Sequence, residues 1–386
     1  MQFYFFHLMP YPGLPEDYLE THGTSWATIP NALYDPEVGH RLYHEYLDTF
    51  ERADALGYDG ICVNEHHQTC YGTMPSPNIM AAALARRTSR AKIAILGNAI
   101  CLRNHPLRVA EEVAMLDVIT KGRIISGFVR GVGDEYTSFS MDPTTSRDRF
   151  LEAHDLILRA WTEPGPFAFE GRHYQFRYVN PWPRPYQKPH PPVWMPSSGS
   201  PETVAFSAER RYPYMQVFSP LSTVKRILGE YKVQARKFGY EAPPDQMGVA
   251  LPIYVAETDE AAWEEAGPHM EFLFNRLLKR PFQQFFPPGY LSEQSMPKVI
   301  ALRELMNKDR FDVRALHENG TVIVGSGATV RERLKEFERE TGLGLLVALL
   351  HFGSLPQDLT LKNLEIFAKE VMPHFRKKGV GETAVA

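Results

Sequence analysis

Residues 92–128 read KIAILGNAICLRNHPLRVAEEVAMLDVITKGRIISGF, and their apolar pattern indicates the fold class. The apolar run from Lys92 to Leu96 is typical of a buried strand, and a second such run follows from Arg123 to Phe128. Between them, Leu107 to Ile119 has the apolar spacing of a helix that buries one face. A strand, a helix and a second strand make a βα unit, in which the two strands lie parallel.

The same alternation runs along most of the chain and predicts a parallel α/β fold. Helices are predicted between the strands, for example from Glu37 to Ala55 and from Arg147 to Trp161. Eight strands are predicted: Gln2 to Phe6, Tyr58 to Val63, Lys92 to Leu96, Arg123 to Phe128, Pro192 to Met195, Pro213 to Phe218, Gly248 to Val255 and Leu343 to Leu350. Eight strands suit a closed (β/α)8 TIM barrel with insertions after several strands better than an open doubly wound sheet. We expect a single barrel domain over residues 1–386.

Two long segments interrupt this alternation. Residues 163–192 are rich in proline and predict a short β excursion, Phe167 to Phe169 with His173 to Phe176. Residues from 257 to about 320 are helical and aromatic. Long insertions in a barrel commonly form lids and pockets over the strand C-terminal face, and we expect that position for both. A packed surface layer is the alternative.

Composition and charge exclude several classes of protein. The 386 residues carry a formal net charge of −4 and no long basic run, so nucleic acid is not an expected partner. No apolar stretch is close to the length of about 20 residues that a membrane span needs, and we expect a cytoplasmic protein. The three cysteines, Cys62, Cys70 and Cys101, have no C-x-x-C spacing. They predict reduced thiols, and neither a disulfide framework nor a zinc site.

Two adjacent histidines follow the second predicted strand, in the sequence Glu65-His66-His67. The C-terminal ends of barrel strands are where active sites lie, and an imidazole titrates near pH 6.5 or so, which suits a catalytic base. A hydrogen-bonded structural pair is the alternative reading of His66 and His67. A metal site is disfavoured, because the chain has neither an H-E-x-x-H nor an H-x-H pattern.

Gly97 and Asn98 directly follow the third predicted strand and lie at the same mouth. Glycine lets the backbone approach a flat ligand closely, and the asparagine amide supplies both a donor and an acceptor. These two residues are therefore candidates for cofactor binding. A plain βα turn is the alternative.

The fourth predicted strand leads into residues 129–136, VRGVGDEY. An arginine in glycine-rich backbone can bind a phosphate, so Arg130 is a candidate for cofactor binding, together with Tyr136 from the same segment. An ion pair of Arg130 with Asp134 or Glu135 is the alternative.

A serine cluster, Ser197-Ser198-Gly199-Ser200, follows the fifth predicted strand and precedes Pro201 and a helix. Free N–H groups and hydroxyls at a helix N-terminus form an anion site, and the helix dipole favours negative charge there. A plain N-cap with proline in the first turn is the alternative. Together with Arg130, the cluster suggests a phosphate held between two loops.

No dinucleotide fingerprint is visible. The G-x-G at Gly131 lacks the third glycine, and so does the one at Gly325. A nicotinamide site within this chain is therefore not expected.

In this order along the chain, the motifs resemble those of the bacterial luciferase-like flavin-dependent monooxygenases. The resemblance covers nearly the whole chain. It includes Glu65-His66-His67, Asn104-His105-Pro106-Leu107-Arg108, Ala110-Glu111-Glu112, Met115-Leu116-Asp117, Lys121-Gly122-Arg123, Arg130-Gly131, Arg149-Phe150, Pro189-His190-Pro191-Pro192 and Val371-Met372-Pro373.

The resemblance implies a (β/α)8 barrel that binds reduced FMN at the strand C-termini. It implies that the flavin reacts with O₂, through a peroxide adduct at its C4a carbon, and inserts one oxygen atom into a small organic substrate. His66 matches the catalytic base, and His67 is grouped with it. Asn98 matches a residue beneath the flavin, preceded by a non-proline cis peptide, which predicts a cis bond between Gly97 and Asn98.

Two further implications concern the phosphate and the partners. Arg130 and residues 197–200 match the positions that hold the FMN phosphate. A separate flavin reductase is expected to supply the reduced FMN, since no nicotinamide motif is visible, and homodimers are common in the family. The aromatic, proline-rich insertions favour a largely apolar substrate, and hydroxylation, epoxidation, Baeyer–Villiger insertion and carbon–sulfur cleavage all fit.

Two features depart from the family pattern. The bioluminescent members have a reactive cysteine just before the phosphate-binding arginine, and here that residue is Val129. Light emission is therefore not expected, whereas oxygenation is. The segment from Tyr11 to Asn31 lengthens the first βα connection and is expected to cover the substrate pocket.

Three other functions fit parts of the pattern. The same barrel can use a deazaflavin coenzyme for hydride transfer, and the Glu65-His66-His67 motif favours FMN over it. A non-catalytic flavin-binding barrel would keep the phosphate site without turnover. A metal-dependent hydrolase is the third alternative.

Overall fold

The computed structural model describes residues 1–296 and 310–376, and it contains a closed parallel barrel. Each of the eight strands in the ring pairs with the next one, and the last strand pairs back onto the first. The ring strands are β1 (Gln2–Phe6), β2 (Gly60–Val63), β3 (Lys92–Ala99), β4 (Ile124–Val129), β7 (Val193–Ser197), β8 (Tyr214–Val217), β9 (Met247–Ala256) and β11 (Leu345–Leu349). The predicted barrel is confirmed, and its eight strands are the eight that the sequence predicts.

One further parallel strand was not predicted. Strand β10 (Ile323–Ser326) pairs with Ile253–Ala256, the C-terminal end of β9. It is four residues long and lies close to glycines, so its apolar run is too short to indicate a strand by periodicity. It leads directly into a helix that begins at Gly327.

Helices connect the strands and surround the ring. Helix α4 (Leu107–Ile119) has the predicted bounds, and the last described α-helix continues as a π-helical turn, Phe367–Val371. The described helices are α1 (Tyr18–His22), α2 (Pro36–Ala55), α3 (Pro77–Arg87), α4, α5 (Gly133–Ser138), α6 (Ser146–Thr162), α7 (Pro201–Glu209), α8 (Leu221–Lys237), α9 (Asp259–Phe272), α10 (Phe282–Phe285), α11 (Val313–Glu318), α12 (Gly327–Thr341) and α13 (Gln357–Ile366).

The strands bury both faces, which is why they read as continuous apolar runs. In β1, Phe5 packs against Phe50 of α2, with ring centroids 5.3 Å apart. The preceding residue, Tyr4, faces the barrel interior, and its ring centroid lies 4.8 Å from that of Trp194 in β7. Side chains such as these fill the interior, so a ligand must bind at the mouth and not inside the barrel.

The insertion at residues 163–192 forms a hairpin of β5 (Phe167–Glu170) and β6 (Gln175–Val179). The hairpin packs against α6, where the carboxylate of Glu152 accepts the backbone N–H groups of residues 172–174. Its contact with the mouth is through Tyr174, whose hydroxyl donates to the carbonyl of Arg103 at 3.2 Å. The hairpin therefore lies mainly along the side of the barrel.

The described part of the second insertion includes a segment that contacts the end of β4. After α9 and a π-helical turn, Leu273–Leu277, the chain runs through residues 278–296, and positions 297–309 of the predicted insertion lie outside the described residues. We call residues 278–296 the strap. Tyr290 of the strap donates to the carbonyl of Gly131 at 2.7 Å, which holds it over the end of β4.

Within the two described ranges, no helix is long and apolar enough to cross a membrane. The three cysteines are buried and none is bonded to another.

Candidate active site

His66 follows the end of β2, and its side chain is hydrogen-bonded to Glu135 of α5. The distance from His66 Nδ1 to Glu135 Oε1 is 3.1 Å. The side chain of His66 is 17% exposed and that of Glu135 is 1% exposed. The other oxygen of Glu135 accepts the backbone N–H of Val132 at 2.8 Å, which fixes the carboxylate. Because a carboxylate on one ring nitrogen sets the orientation of an imidazole, Nε2 of His66 is left to act on a ligand.

His67 has a different partner from its neighbour. Its Nε2 lies 2.7 Å from Glu65 Oε1, and both side chains are buried. The second oxygen of Glu65 accepts from Arg103 Nη2 at 2.7 Å and from the N–H of Ala99 at 3.2 Å. This network ties the ends of β2 and β3 together. His67 thus has a hydrogen-bond partner of the kind that the structural alternative expects, and its predicted catalytic role stays a prediction.

Asn98 is a fully buried amide near the end of β3. Neither its Oδ1 nor its Nδ2 has a hydrogen-bond partner in the protein, although buried polar groups are nearly always paired. The adjoining mouth therefore offers one donor and one acceptor to a ligand.

The predicted cis bond between Gly97 and Asn98 is wrong, because the cis peptide joins Leu96 and Gly97. Gly97 packs against β4, where a Cβ atom would lie 3.0 Å from the carbonyl carbon of Gly127. The residue after the cis bond is thus the glycine, at a point where β3 and β4 approach closely.

Arg130 follows β4 and is covered by the strap. Its Nη1 donates to Ser146 Oγ at 3.1 Å and to the carbonyl of Tyr290 at 3.3 Å, and its guanidinium lies 4.6 Å from the Tyr290 ring centre. Tyr136, the other predicted residue of this segment, donates its hydroxyl to the Arg130 carbonyl at 2.5 Å. Tyr136 therefore positions the backbone of Arg130.

The alternative reading of Arg130 as a partner of the neighbouring acids is wrong. Glu135 meets His66, and Asp134 forms its ion pair with Arg280 of the strap, with Arg280 Nη1 3.4 Å from Asp134 Oδ2. Helix α5 begins at Gly133, and the Glu135 carboxylate turns back to accept the N–H of Val132 and meets His66, so it does not pair with the Arg130 guanidinium.

The serine cluster begins helix α7 as predicted. Ser200 accepts the N–H of Thr203 at 3.4 Å, and Ser197 Oγ accepts the N–H of Gly199 at 3.3 Å. Ser198 is exposed. The cluster therefore includes both an N-cap and accessible hydroxyl groups at a helix N-terminus, the arrangement that binds anions.

Glu202 and Arg147 accompany this cluster. Glu202 accepts the Ser200 hydroxyl at 2.7 Å and lies 3.5 Å from Arg147. Burial acts to raise the pKa of Glu202, but hydrogen bonds from Ser292 and Ser200 outweigh it and lower the pKa to about 2. Arg147 is therefore a second guanidinium on the side of the mouth where Arg130 lies.

Aromatic rings and the strap enclose His66. Trp26, from the long first connection, is 1% exposed, and its ring lies 5.3 Å from that of His66. It stacks on Tyr71 at 4.9 Å and donates its indole N–H to the carbonyl of Leu277 at 2.9 Å. Arg280 lies over the other part of this wall, 4.1 Å from the Trp26 ring centre. The segment from Tyr11 to Asn31 thus contributes a wall beside His66.

Several of these residues were missed by reasoning from the sequence. Glu135 was considered only as a partner of Arg130, and Arg103, Arg280 and Tyr290 were not singled out. Glu135 is 69 positions from His66, so no local pattern links them. The one available signal is that an acidic pair follows the fourth strand, since strand ends of a barrel meet at one mouth.

The residues at the mouth suit a flavin mononucleotide. The unpartnered Asn98 amide can pair with polar atoms of the flavin ring, and Arg130 with the serine cluster can hold a phosphate. Among residues 1–296 and 310–376, no three or more His, Cys, Asp or Glu side chains lie close enough together to hold a metal ion. The fold is a parallel α/β barrel, and the groups at its mouth are of the kind that fit a flavin with a phosphate.

Comparison with known proteins identifies the family. The luciferase-like monooxygenase family matches residues 27–343, which is most of the chain. The protein therefore belongs to the luciferase-like monooxygenases and is an enzyme of that class.

Individual proteins agree with this assignment. The chain is 26% identical over 353 residues to the oxygenase component of the flavin-dependent trigonelline monooxygenase of Acinetobacter baylyi, covering 90% of this chain and 93% of that protein. It has the fold of the type II Baeyer–Villiger oxygenating constituent of 3,6-diketocamphane monooxygenase from Pseudomonas putida, solved with FMN, at a TM-score of 0.75 and 20% identity over 98% of this chain and all of that one. An F420-dependent secondary alcohol dehydrogenase shares the fold at a TM-score of 0.68 and 15% identity, over 97% of this chain and 99% of that one.

Proposed function

We propose that this enzyme uses reduced FMN and O₂ to oxygenate a small organic substrate. The observation that carries the proposal is the buried Asn98 amide with no partner, at a mouth that also presents His66 and Arg130 from the neighbouring strand ends. Buried amides without partners cost free energy, so they are retained where a ligand pairs with them. Reduced FMN, when bound, supplies the electrons that activate O₂.

Three parts of the mouth bind and orient FMN in this proposal. Arg130 and the serine cluster at residues 197–200 hold the phosphate, since a guanidinium and a helix N-terminus both favour a dianion. Asn98 pairs with the ring and sets its depth. Tyr136 fixes the carbonyl of Arg130, so it acts as a positioning residue.

His66 is the residue proposed to move a proton. Glu135 holds its Nδ1, so Nε2 can accept a proton from the substrate and return it when water leaves. His67 is bound to Glu65 and is not part of this proposed step.

Exclusion of water is the remaining requirement, because reactive oxygen species are lost when water reaches the site. Trp26 and Tyr71 form an apolar wall beside His66, and the strap covers Arg130 through Tyr290. The chain therefore has the cover that oxygenation needs.

A separate reductase is part of the proposal. The sequence has no dinucleotide fingerprint, and the similar trigonelline enzyme is named as an oxygenase component. A cytoplasmic location and a homodimer belong to the same proposal. Sedimentation of the purified chain at several concentrations tests the homodimer.

The test of the function is an anaerobic titration with reduced FMN, followed by rapid mixing with oxygenated buffer. We expect saturable binding and flavin reoxidation whose rate differs from that of free reduced FMN. With ¹⁸O₂ and a turned-over substrate, one ¹⁸O atom should enter the product. Failure to bind reduced FMN, with binding of a reduced deazaflavin instead, would overturn the proposal in favour of hydride transfer.

A further inference from the structure

The ion pair between Arg280 and Asp134 is buried but incompletely bonded. The side chain of Arg280 is 8% exposed and that of Asp134 is 0% exposed, and Nη1 lies 3.4 Å from Oδ2. Neither oxygen of Asp134 has a hydrogen bond, and neither has Nε or Nη1 of Arg280. A buried ion pair repays its desolvation only when further hydrogen bonds satisfy both groups. The contact is therefore poor as a purely structural one.

The faces of the Arg280 guanidinium are occupied by rings. It lies 4.1 Å from the ring centre of Trp26 and 3.8 Å from that of Phe285. Stacking fixes the plane of the guanidinium and leaves its edges for hydrogen bonds. Nη1 is the nitrogen nearest to Asp134, so the edge formed by Nε and Nη2, here called the Nε edge, is the one that remains for another acceptor.

The Nε edge of an arginine is suited to a carboxylate. This chain shows the geometry at Arg159, where Nε and Nη2 donate to the two oxygens of Glu163 at 2.8 and 3.2 Å. A charged acceptor gives shorter and stronger hydrogen bonds than a neutral carbonyl, above all to a desolvated cation. The edge of Arg280 thus has an anionic ligand as its best partner.

The location of Arg280 connects this edge with the reaction site. Trp26, on which Arg280 stacks, also contacts the ring of His66 at 5.3 Å and that of Tyr71 at 4.9 Å. An aromatic wall beside a cation suits a flat organic acid, with the ring of the acid against the wall and its charge on the arginine.

We propose that Arg280 is a substrate-recognition residue whose Nε edge binds the carboxylate of a small aromatic acid beside His66. The inference rests on the proposed function, since it names the substrate class of that same site. Asp134 keeps Arg280 in place and competes with the ligand for it, so the two acids share one guanidinium.

The test compares benzoate with benzamide, which have the same ring and differ in the charged group. The full chain is titrated by calorimetry with saturating FMN present, so that Arg130 is engaged by the phosphate. We expect saturable benzoate binding and benzamide binding weaker by about ten- to a hundredfold. Equal affinity for the two probes would overturn the proposal.

Variants locate the binding site. Arg280→Met should lower benzoate affinity to that of benzamide, whereas the matched control Arg314→Met should leave it unchanged. Arg314 also stacks on a tryptophan, 3.7 Å from the ring centre of Trp263, but it is exposed. If Arg280→Met does not fold, because Asp134 loses its partner, the double variant Arg280→Met/Asp134→Asn serves in its place. Benzoate affinity that is unchanged without Arg280 would contradict the proposal.

The Asp134→Asn variant distinguishes substrate recognition by Arg280 from a purely structural role of the ion pair in holding the strap. Removal of the competing carboxylate should tighten benzoate binding several-fold, whereas a latch that only holds the strap would lose affinity for both probes alike. The latter result would contradict the proposal.

The same benzoate and benzamide titrations are repeated with Arg130→Met, so that binding at Arg280 can be judged separately from FMN binding at Arg130. If benzoate discrimination persists there but reduced FMN does not bind the wild-type enzyme, the proposed function fails while the role of Arg280 stands. If benzoate binding depends on Arg130 and not on Arg280, the anion occupies the phosphate site and the inference is overturned.

Discussion

His66 Nδ1 and Glu135 Oε1 lie 3.1 Å apart across the barrel mouth, and the Glu135 carboxylate is held in turn by the backbone N–H of Val132. The two adjacent histidines thus have different partners, since His67 is bound to Glu65. A catalytic function of the pair can therefore be tested one histidine at a time.

We expect His66→Ala to keep FMN affinity and to lower kcat for oxygenation by about 10²- to 10⁴-fold, the usual contribution of a general acid or base. Single-turnover product formation, measured beside an FMN titration, checks this. Glu135→Gln should give a smaller loss, because the amide still meets the ring but cannot stabilise its charge. Turnover of His66→Ala at the wild-type rate would remove His66 from the mechanism.

Asn98→Leu separates folding from binding. Leucine has the branching and the number of side-chain heavy atoms of asparagine and lacks the two buried polar atoms that have no partner, but its methyl groups are bulkier, so the free energy of unfolding without ligand should change by less than about 1.5 kcal/mol. FMN affinity should fall by about tenfold or more, because the ring loses its hydrogen bonds. Urea unfolding and flavin titration measure the two effects. A strongly destabilised variant would show that Asn98 has a partner in the free protein.

Arg130→Met tests the phosphate. FMN binding should weaken by about 1.5 to 3 kcal/mol, the value of a hydrogen bond to a charged group, and riboflavin binding should hardly change. Fluorescence titrations with both flavins provide the comparison. Arg172→Met is the control, since Arg172 is 80% exposed and pairs only loosely with Asp148. An equal loss for both flavins would show that Arg130 does not touch the phosphate.

Fold and site differ in how far they can be predicted from the sequence. Apolar runs such as Leu345–Leu349 are buried on both faces, and that burial is a local property of the strand. Strand β10 was not predicted, because Val322 to Val324 lies between Gly320 and Gly325 and is too short to show the alternation of a strand. The pattern therefore predicts the ring and misses the extra strand.

The site follows a different rule. His66, Asn98 and Arg130 are predictable because each lies at or shortly after the C-terminal end of a strand, and a barrel gathers strand ends at one mouth. Arg280 belongs to an insertion whose path no periodicity describes. Its pairing with Asp134 joins positions far apart in sequence, and only the folded chain shows it.

The cysteines give a prediction about pH. Burial raises the pKa of Cys101 to about 11 and that of Cys70 to about 11, and it raises the pKa of Cys62 well above its usual value. A thiolate is the reactive form, so at pH 8 only about one thiol in a thousand is ionised at a pKa of 11.

We therefore expect the native protein to resist iodoacetamide at pH 8, and all three thiols to be alkylated once urea unfolds it. Mass spectrometry of the modified chain counts the labels. Because the pKa values are raised, native labelling should increase as the pH rises toward 11. Rapid native labelling of Cys101 at pH 8 would show that it is accessible, although its thiol donates to the Arg130 carbonyl at 3.1 Å.

Trp26 joins the first connection to the second insertion, so its loss should destabilise the cover of the site. Trp26→Phe keeps a ring and loses the hydrogen bond from the indole N–H to Leu277, which should reduce the free energy of unfolding by about 1 kcal/mol. Trp26→Ala also leaves a cavity and should cost about 3 to 5 kcal/mol. Urea unfolding followed by circular dichroism measures both. The exposed Trp182, at 84% exposure, is the control, and Trp182→Ala should change stability by less than about 0.5 kcal/mol. If Trp26→Ala is no more harmful than Trp182→Ala, the packing of Trp26 does not hold the cover in place.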